Sequence, residues 1–237
     1  MSFVSDKRLL RNAAKELGLT IPRGFRWAVP GWGAPARELM SEYQRVRHFP
    51  VTGYPTPVQR KDMRIAATPL RYVALQIMLQ MEANGVRETS LNRSPFIDHM
   101  KEYVNGYTDT LPWCADAVTY CFKKASGGVW PKAGCFNYRY CPSWVEAART
   151  NKCNLSTKTR DIDKGDVVLF DWDNDGVADH VGLVRAALPG LFRVTAGPIP
   201  TVEGNTGITD SGLGFGDGVK SKWRTRNSVM AFVRVNI

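Results

Sequence analysis

Cys114, His180, Glu203 and Asn205 are the residues whose types and settings suit covalent amide chemistry. Cys114 follows Pro112 and Trp113 and opens an apolar-periodic run (Val118, Cys121, Phe122, Ala125) that stops at Gly127, which predicts a cysteine at a helix N-terminus. The free N–H groups and positive dipole end there favour thiolate over thiol and can receive an oxyanion. His180, one of 3 histidines, opens an apolar strand whose sheet would fix the ring as a general base requires. The run 191–196 reads as a further strand and 201–205 as another. In an antiparallel meander Glu203 then faces the imidazole nitrogen that the thiol does not use, holding the tautomer and stabilising the imidazolium. Asn205, two residues on, shares that face and is a candidate oxyanion or supporting group. Taken singly, each has a plainer reading: a buried structural cysteine, a strand-ending histidine, a solvated carboxylate.

The segment before His180 has a second possible chemistry. Asp171, Asp173, Asp175, the Val177 carbonyl and Asp179 fall at positions 1, 3, 5, 7 and 9 of an EF-hand-like loop, with Gly176 at position 6. Position 12 is Gly182, so the bidentate carboxylate is missing. A calcium loop that borrows a ligand from elsewhere and a metal-free Asp-rich turn both stay open. Upstream of Cys114 the carboxylates Asp109 and Asp116 make a poor second site. No cofactor is expected for the chemistry itself, and calcium only in a structural part.

The positioning elements follow from the apolar pattern. Leu9, Leu10, Ala13, Ala14 and Leu17 repeat at helical spacing before Gly18, and a second helix from Pro35 should bury Leu39, Tyr43 and Val46. A third begins at Thr56 and Pro57. The loop 19–35 needs Trp27 and Trp32 to pack. A helix over 70–81 should bury Leu70, Val73, Ile77 and Met81, and residues 92–105 form a shorter one. Thr68 and Pro69 combine linker and helix start, which divides the chain into domains 1–67 and 68–237.

With 237 residues the chain can bury one sizeable core and a small satellite, and 7 Trp with no low-complexity run exclude disorder. The helix over 70–81 is too short and too polar to span a bilayer, and the first residues lack an apolar signal region, so neither membrane insertion nor export is expected. Residues 1–68 hold 12 Lys and Arg against 5 Asp and Glu, +7 of the total +10. That bias suits a polyanionic partner, nucleic acid or an anionic cell wall, or simply a soluble basic face. No Arg/Lys-rich recognition helix is evident, which argues against nucleic acid. The 5 cysteines include no C-x-x-C zinc pair, and those other than Cys114 are expected as buried thiols.

Two resemblances follow. Tyr43-Gln44, the Pro-Val-Thr-Gly turn ending at Gly53 and the Thr56-Pro57 helix start make residues 5–66 resemble the peptidoglycan-binding three-helix module. Trp113-Cys114-Ala115, Gly165-Asp166-Val167-Val168, Asp179-His180-Val181-Gly182 and Val202-Glu203-Gly204-Asn205, in that order, make residues 68–237 resemble the CHAP family of cysteine, histidine-dependent amidohydrolases/peptidases. The resemblance implies an α+β, papain-like domain, a Cys-bearing helix packed on an antiparallel sheet, preceded by the small three-helix domain. It implies Cys114 as nucleophile, His180 as base and later acid, Glu203 as orienting group, Asn205 as helper, and Trp113 as a substrate-binding residue. The expected activity is that of a bacteriophage endolysin cutting an amide of bacterial peptidoglycan, as N-acetylmuramoyl-L-alanine amidase or stem or cross-link endopeptidase. Such an enzyme is expected to be a monomer held in the host cytoplasm until a holin releases it to the wall. The alternative is a catalytically inactive wall-binding or phage tail structural protein.

Overall fold

Prolines 35 and 57 stand in the first turns of helices, where a missing N–H costs nothing. The computed structural model describes residues 3–191, 198–207 and 217–236, which form two compact units, one up to Pro69 and one from Leu70 to Asn236. In the first, α1 (Phe3–Glu16), α2 (Ala34–Val46) and α3 (Pro57–Ala66) enclose Leu10, Ala13, Leu39, Met40, Tyr43 and Met63. Trp32 joins that core and donates its indole N–H to the Gly53 carbonyl at 2.5 Å. Trp27, expected to pack likewise, is 37 % exposed, and Val46, the last residue of α2, lies at the surface as well.

The buried amide of Gln44 ties the turn to α2. Its Oε1 accepts from the N–H groups of Thr52 and Gly53 at 2.8 and 2.9 Å. Its Nε2 donates to Thr52 Oγ1, the Tyr54 carbonyl and Gln59 Oε1. A polar group buried in this way is stabilising only because both ends are satisfied.

The second unit carries α4 (Leu70–Ala83), α5 (Pro95–Asn105), α6 (Cys114–Ala125) and α7 (Cys141–Arg149). Its main sheet is antiparallel throughout, in the order β1 (Leu155–Lys158), β8 (Val229–Val235), β3 (Val167–Phe170), β4 (His180–Val184), β6 (Ile199–Thr206), β7 (Gly218–Arg224). Every residue of β3 and β4 is buried, so these central strands are covered on both faces. The strand expected at 191–196 lies outside the described residues beyond Leu191, which ends β5 (Leu188–Leu191), a strand paired with β2 (Arg160–Ile162) off the main sheet.

Other boundaries shift for local reasons. Ser94 caps α5, which begins at Pro95 rather than residue 92, because the Ser94 Oγ accepts from the Ile97 N–H at 3.3 Å. On α4 the buried residues are Ala74, Leu75, Met78 and Met81, rotated from the expected stripe because both α6 and β7 pack on this helix. Residues 128–160, which carry no clear pattern, fold into α7 and β1 and are closed by a Cys135–Cys153 disulfide. That bond corrects the expectation of thiols: the chain doubles back around α7 and brings the two sulfurs together across 18 residues.

Candidate active site

α6 packs against β4 and β6, and two glycines let it come close. A Cβ on Gly204 would lie 2.6 Å from Ala117 Cβ and 2.9 Å from the Trp113 ring, closer than atoms can sit. A Cβ on Gly182 would lie 2.5 Å from Glu203 Cγ, in the space the glutamate crosses to reach the histidine. In the β4–β6 register Gly182 pairs with Glu203, which puts His180 on the same face, two residues along. His180 Nε2 donates to Glu203 Oε2 at 3.1 Å. Cys114, the first residue of α6, lies near enough to the same ring for each to act on the other's ionisation. The structure thus brings together Cys114, His180 and Glu203.

One member of the arrangement was given no role by the sequence. Arg224, at the end of β7, donates from Nε to Glu203 Oε1 at 2.9 Å and from Nη2 to Oε2 at 2.5 Å. Thr201 Oγ1 donates to Oε1. Glu203 is wholly buried, and its carboxylate is held on every side. The charges alternate along the line: thiolate, imidazolium, carboxylate, guanidinium.

The ionisation follows from these contacts. Cys114 is held well below the usual thiol range by the hydrogen bond from Cys141, then by the charge and hydrogen bond of His180 and the Ala115 N–H, against the opposing effect of burial. Burial alone would lower His180, but the Cys114 thiolate and Glu203 outweigh it and raise the ring to about 10. Burial likewise works against the Glu203 carboxylate, and Arg224 with His180 overcomes it, lowering the group to about 2. A thiolate–imidazolium pair at neutral pH is an attacking nucleophile with its proton donor in place.

The segment leading to Cys114 is held by two cations. Lys101, wholly buried, donates from Nζ to the carbonyls of Asn92, Asp109 and Leu111 and to Asp109 Oδ1. Arg139 bridges Asp109 at 2.6 Å and Asp116 at 3.2 Å. These carboxylates are neutralised by side chains, which removes the case for a cation site there.

Two expected site residues sit differently from their sequence readings. Trp113 is wholly buried, donates its indole N–H to Glu88 Oε1 at 3.0 Å and underlies Gly204, which corrects the expectation that it contacts substrate. Asn205 falls at an irregularity in the β6–β7 pairing with φ +55°, so its side chain does not follow the face of Glu203. It lines, with His180, Trp172, Trp223 and Arg224, a cleft of about 670 Å³, and its buried Oδ1 accepts no hydrogen bond.

In the acidic loop Asp171, Asp173 and Asp179 bring carboxylate oxygens within 4.8 Å of one another, and Asp171 Oδ1 is buried without a partner. Three oxygens of like charge at that spacing fit a hard divalent cation. Asp175, expected as a fourth carboxylate, lies outside that group, and its Oδ1 accepts from the Val177 N–H at 2.7 Å. Within the loop Trp172 stacks on Phe170 at 4.8 Å and lies 4.8 Å from the Arg224 guanidinium, so the loop touches the charged line.

An α+β unit whose cysteine-bearing helix meets a histidine and a buried glutamate on an antiparallel sheet has the papain-like arrangement. Residues 106–205 match the family described as CHAP domain, which supports the CHAP family of cysteine- and histidine-dependent amidohydrolases and peptidases for this segment. No curated protein and no solved structure matches the chain. Among the described residues no helix is long and apolar enough to cross a membrane.

Proposed function

We propose that this protein is a peptidoglycan hydrolase that cuts an amide bond of the bacterial wall through a thioester on Cys114. The observation that carries the reading is the buried Cys114, His180 and Glu203 arrangement inside the matched segment. Cys114 attacks the carbonyl, and N–H groups at the start of α6 receive the oxyanion. His180 protonates the leaving amine and then activates the water that frees the acyl group, while Glu203 holds the ring. Asn205, at the cleft beside His180, is assigned a supporting part there.

In the same proposal the first unit binds the wall, and its share of the positive charge holds the enzyme on an anionic surface in a salt-dependent way. The biological setting that fits is a phage endolysin, kept as a monomer in the host until a holin opens the way. A calcium ion on Asp171, Asp173 and Asp179 would stiffen the loop next to His180 and take no part in bond cleavage.

Digestion of purified walls by the wild type and by Cys114→Ala, with and without a chelator, followed by mass spectrometry of the soluble fragments, tests the reading. Fragments from the wild type alone are expected, and their new termini name the bond. Binding by both proteins without cutting of any wall type would support the inactive wall-binding reading in its place. A thermal midpoint that rises on calcium addition and no longer does so in Asp171→Asn tests the ion independently of hydrolysis.

A further inference from the structure

The chemistry above has no covalent use for Cys141, yet its Sγ lies 3.8 Å from that of Cys114. Both cysteines are buried, and each is the first residue of its helix, so two positive helix ends meet at one pair of sulfurs. The remaining free thiol, Cys121, faces Met78 and Met81 inside the core, where burial pushes it up and leaves it inert. Cys141 is also held in place. The Cys135–Cys153 disulfide tethers the chain on both sides of α7, and Trp144 of that helix packs against Trp130 and Phe136 and donates to the Tyr138 carbonyl at 2.9 Å.

We propose that Cys114 and Cys141 form a redox latch, in which a peroxide converts the pair to an intramolecular disulfide that silences the nucleophile and a thiol reductant reopens it. The proposal rests on Cys114 being the nucleophile. The Cys114 thiolate attacks one oxygen of the peroxide, the O–O bond breaks, sulfenic acid forms, and the departing hydroxide takes the proton held on the His180 imidazolium and leaves as water. The Cys141 sulfur then attacks the sulfenic sulfur, the S–O bond breaks, and the departing hydroxide leaves as water with the Cys141 proton. Two thiols are oxidised by two electrons in all, and hydrogen peroxide is reduced to two waters. A disulfide needs its sulfurs about 2 Å apart, so the 3.8 Å pair closes by side-chain rotation and a small shift of the helix ends. Without Cys141 the sulfenic acid has no resolving thiol nearby and proceeds to sulfinic acid, which a thiol reductant does not reverse.

The test exposes full-length wild type, Cys141→Ser and Cys141→Ala to hydrogen peroxide, blocks remaining thiols, and maps the cysteine peptides by mass spectrometry alongside wall hydrolysis before and after dithiothreitol. The wild type is expected to give a Cys114–Cys141 linked peptide, to lose hydrolysis at least about tenfold and to regain most of it on reduction. Each variant, compared with its own untreated rate, is expected to carry sulfinic acid on Cys114 and to regain little. Absence of the linked peptide in oxidised wild type overturns the proposal, as does full recovery of both variants. The linked peptide of the wild type is read without reference to activity or to how well a variant folds. A linked peptide in a protein that cuts no wall in either state refutes the proposed function and leaves the thiol chemistry standing.

Discussion

Removing the charges of Glu203 and Arg224, singly and together, separates what this pair does for stability from what it does for catalysis. Glu203 is wholly buried, and its neighbours lower it from the ordinary 4.5 to about 2. At about 1.4 kcal/mol per tenfold, that is about 3 kcal/mol of stabilisation beyond the cost of burial. Breaking one side of a buried pair costs about 3–5 kcal/mol, whereas replacing both sides with neutral groups of similar size is often nearly free. Glu203→Gln and Arg224→Met are therefore each expected to lose about 3–5 kcal/mol in urea unfolding, and the double variant to recover at least about 2 kcal/mol of the summed loss. Hydrolysis should not recover with it. A ring without its carboxylate loses its fixed orientation, so both variants that lack Glu203 should be slower by about 10²–10⁴. Strictly additive stability losses would refute the pairing, and near-normal hydrolysis by Glu203→Gln would refute the role assigned to the carboxylate.

Gly204→Ala should push α6 away from β6, because the new methyl would sit 2.6 Å from Ala117 Cβ, with a stability loss of about 1–3 kcal/mol read by thermal melting. Gln44→Ala should unfold the first unit at lower denaturant by about 2–4 kcal/mol, since it leaves the Thr52 and Gly53 N–H groups without their acceptor. Stability should follow pH through the thiolate pair. His180, raised from 6.5 to about 10, contributes fully below 6.5 and loses its contribution as pH rises through 10, while Cys114, lowered from 9.0, contributes above 9.0 and loses it as pH falls. Between 6.5 and 9.0 the folded ion pair and the unfolded neutral pair bind the same number of protons. The difference in unfolding free energy between wild type and a Cys114→Ala, His180→Ala double variant, in which neither partner titrates, should therefore be flat over that window and shrink towards pH 10; a steep slope inside the window contradicts the pair.

What the sequence determined by itself was local. Cysteine at a helix start, histidine at a strand start and the Glu-Gly-Asn run are short-range patterns, and the periods that place them, 3.6 and 2, depend on neighbours a few residues away. The helix at Cys114 and the strand at His180 stand where those patterns put them. The tertiary structure decided which distant groups complete the site. Arg224 reaches Glu203 because β7 pairs with β6, Cys141 reaches Cys114 because α7 is folded back by a disulfide, and Lys101 binds a segment that begins eight residues later in the chain. It also buried Trp113, which had been expected at the substrate. The physical reason is the same in each case: a buried charge or thiol needs a partner, and sheet register and helix packing, rather than sequence spacing, choose which one arrives.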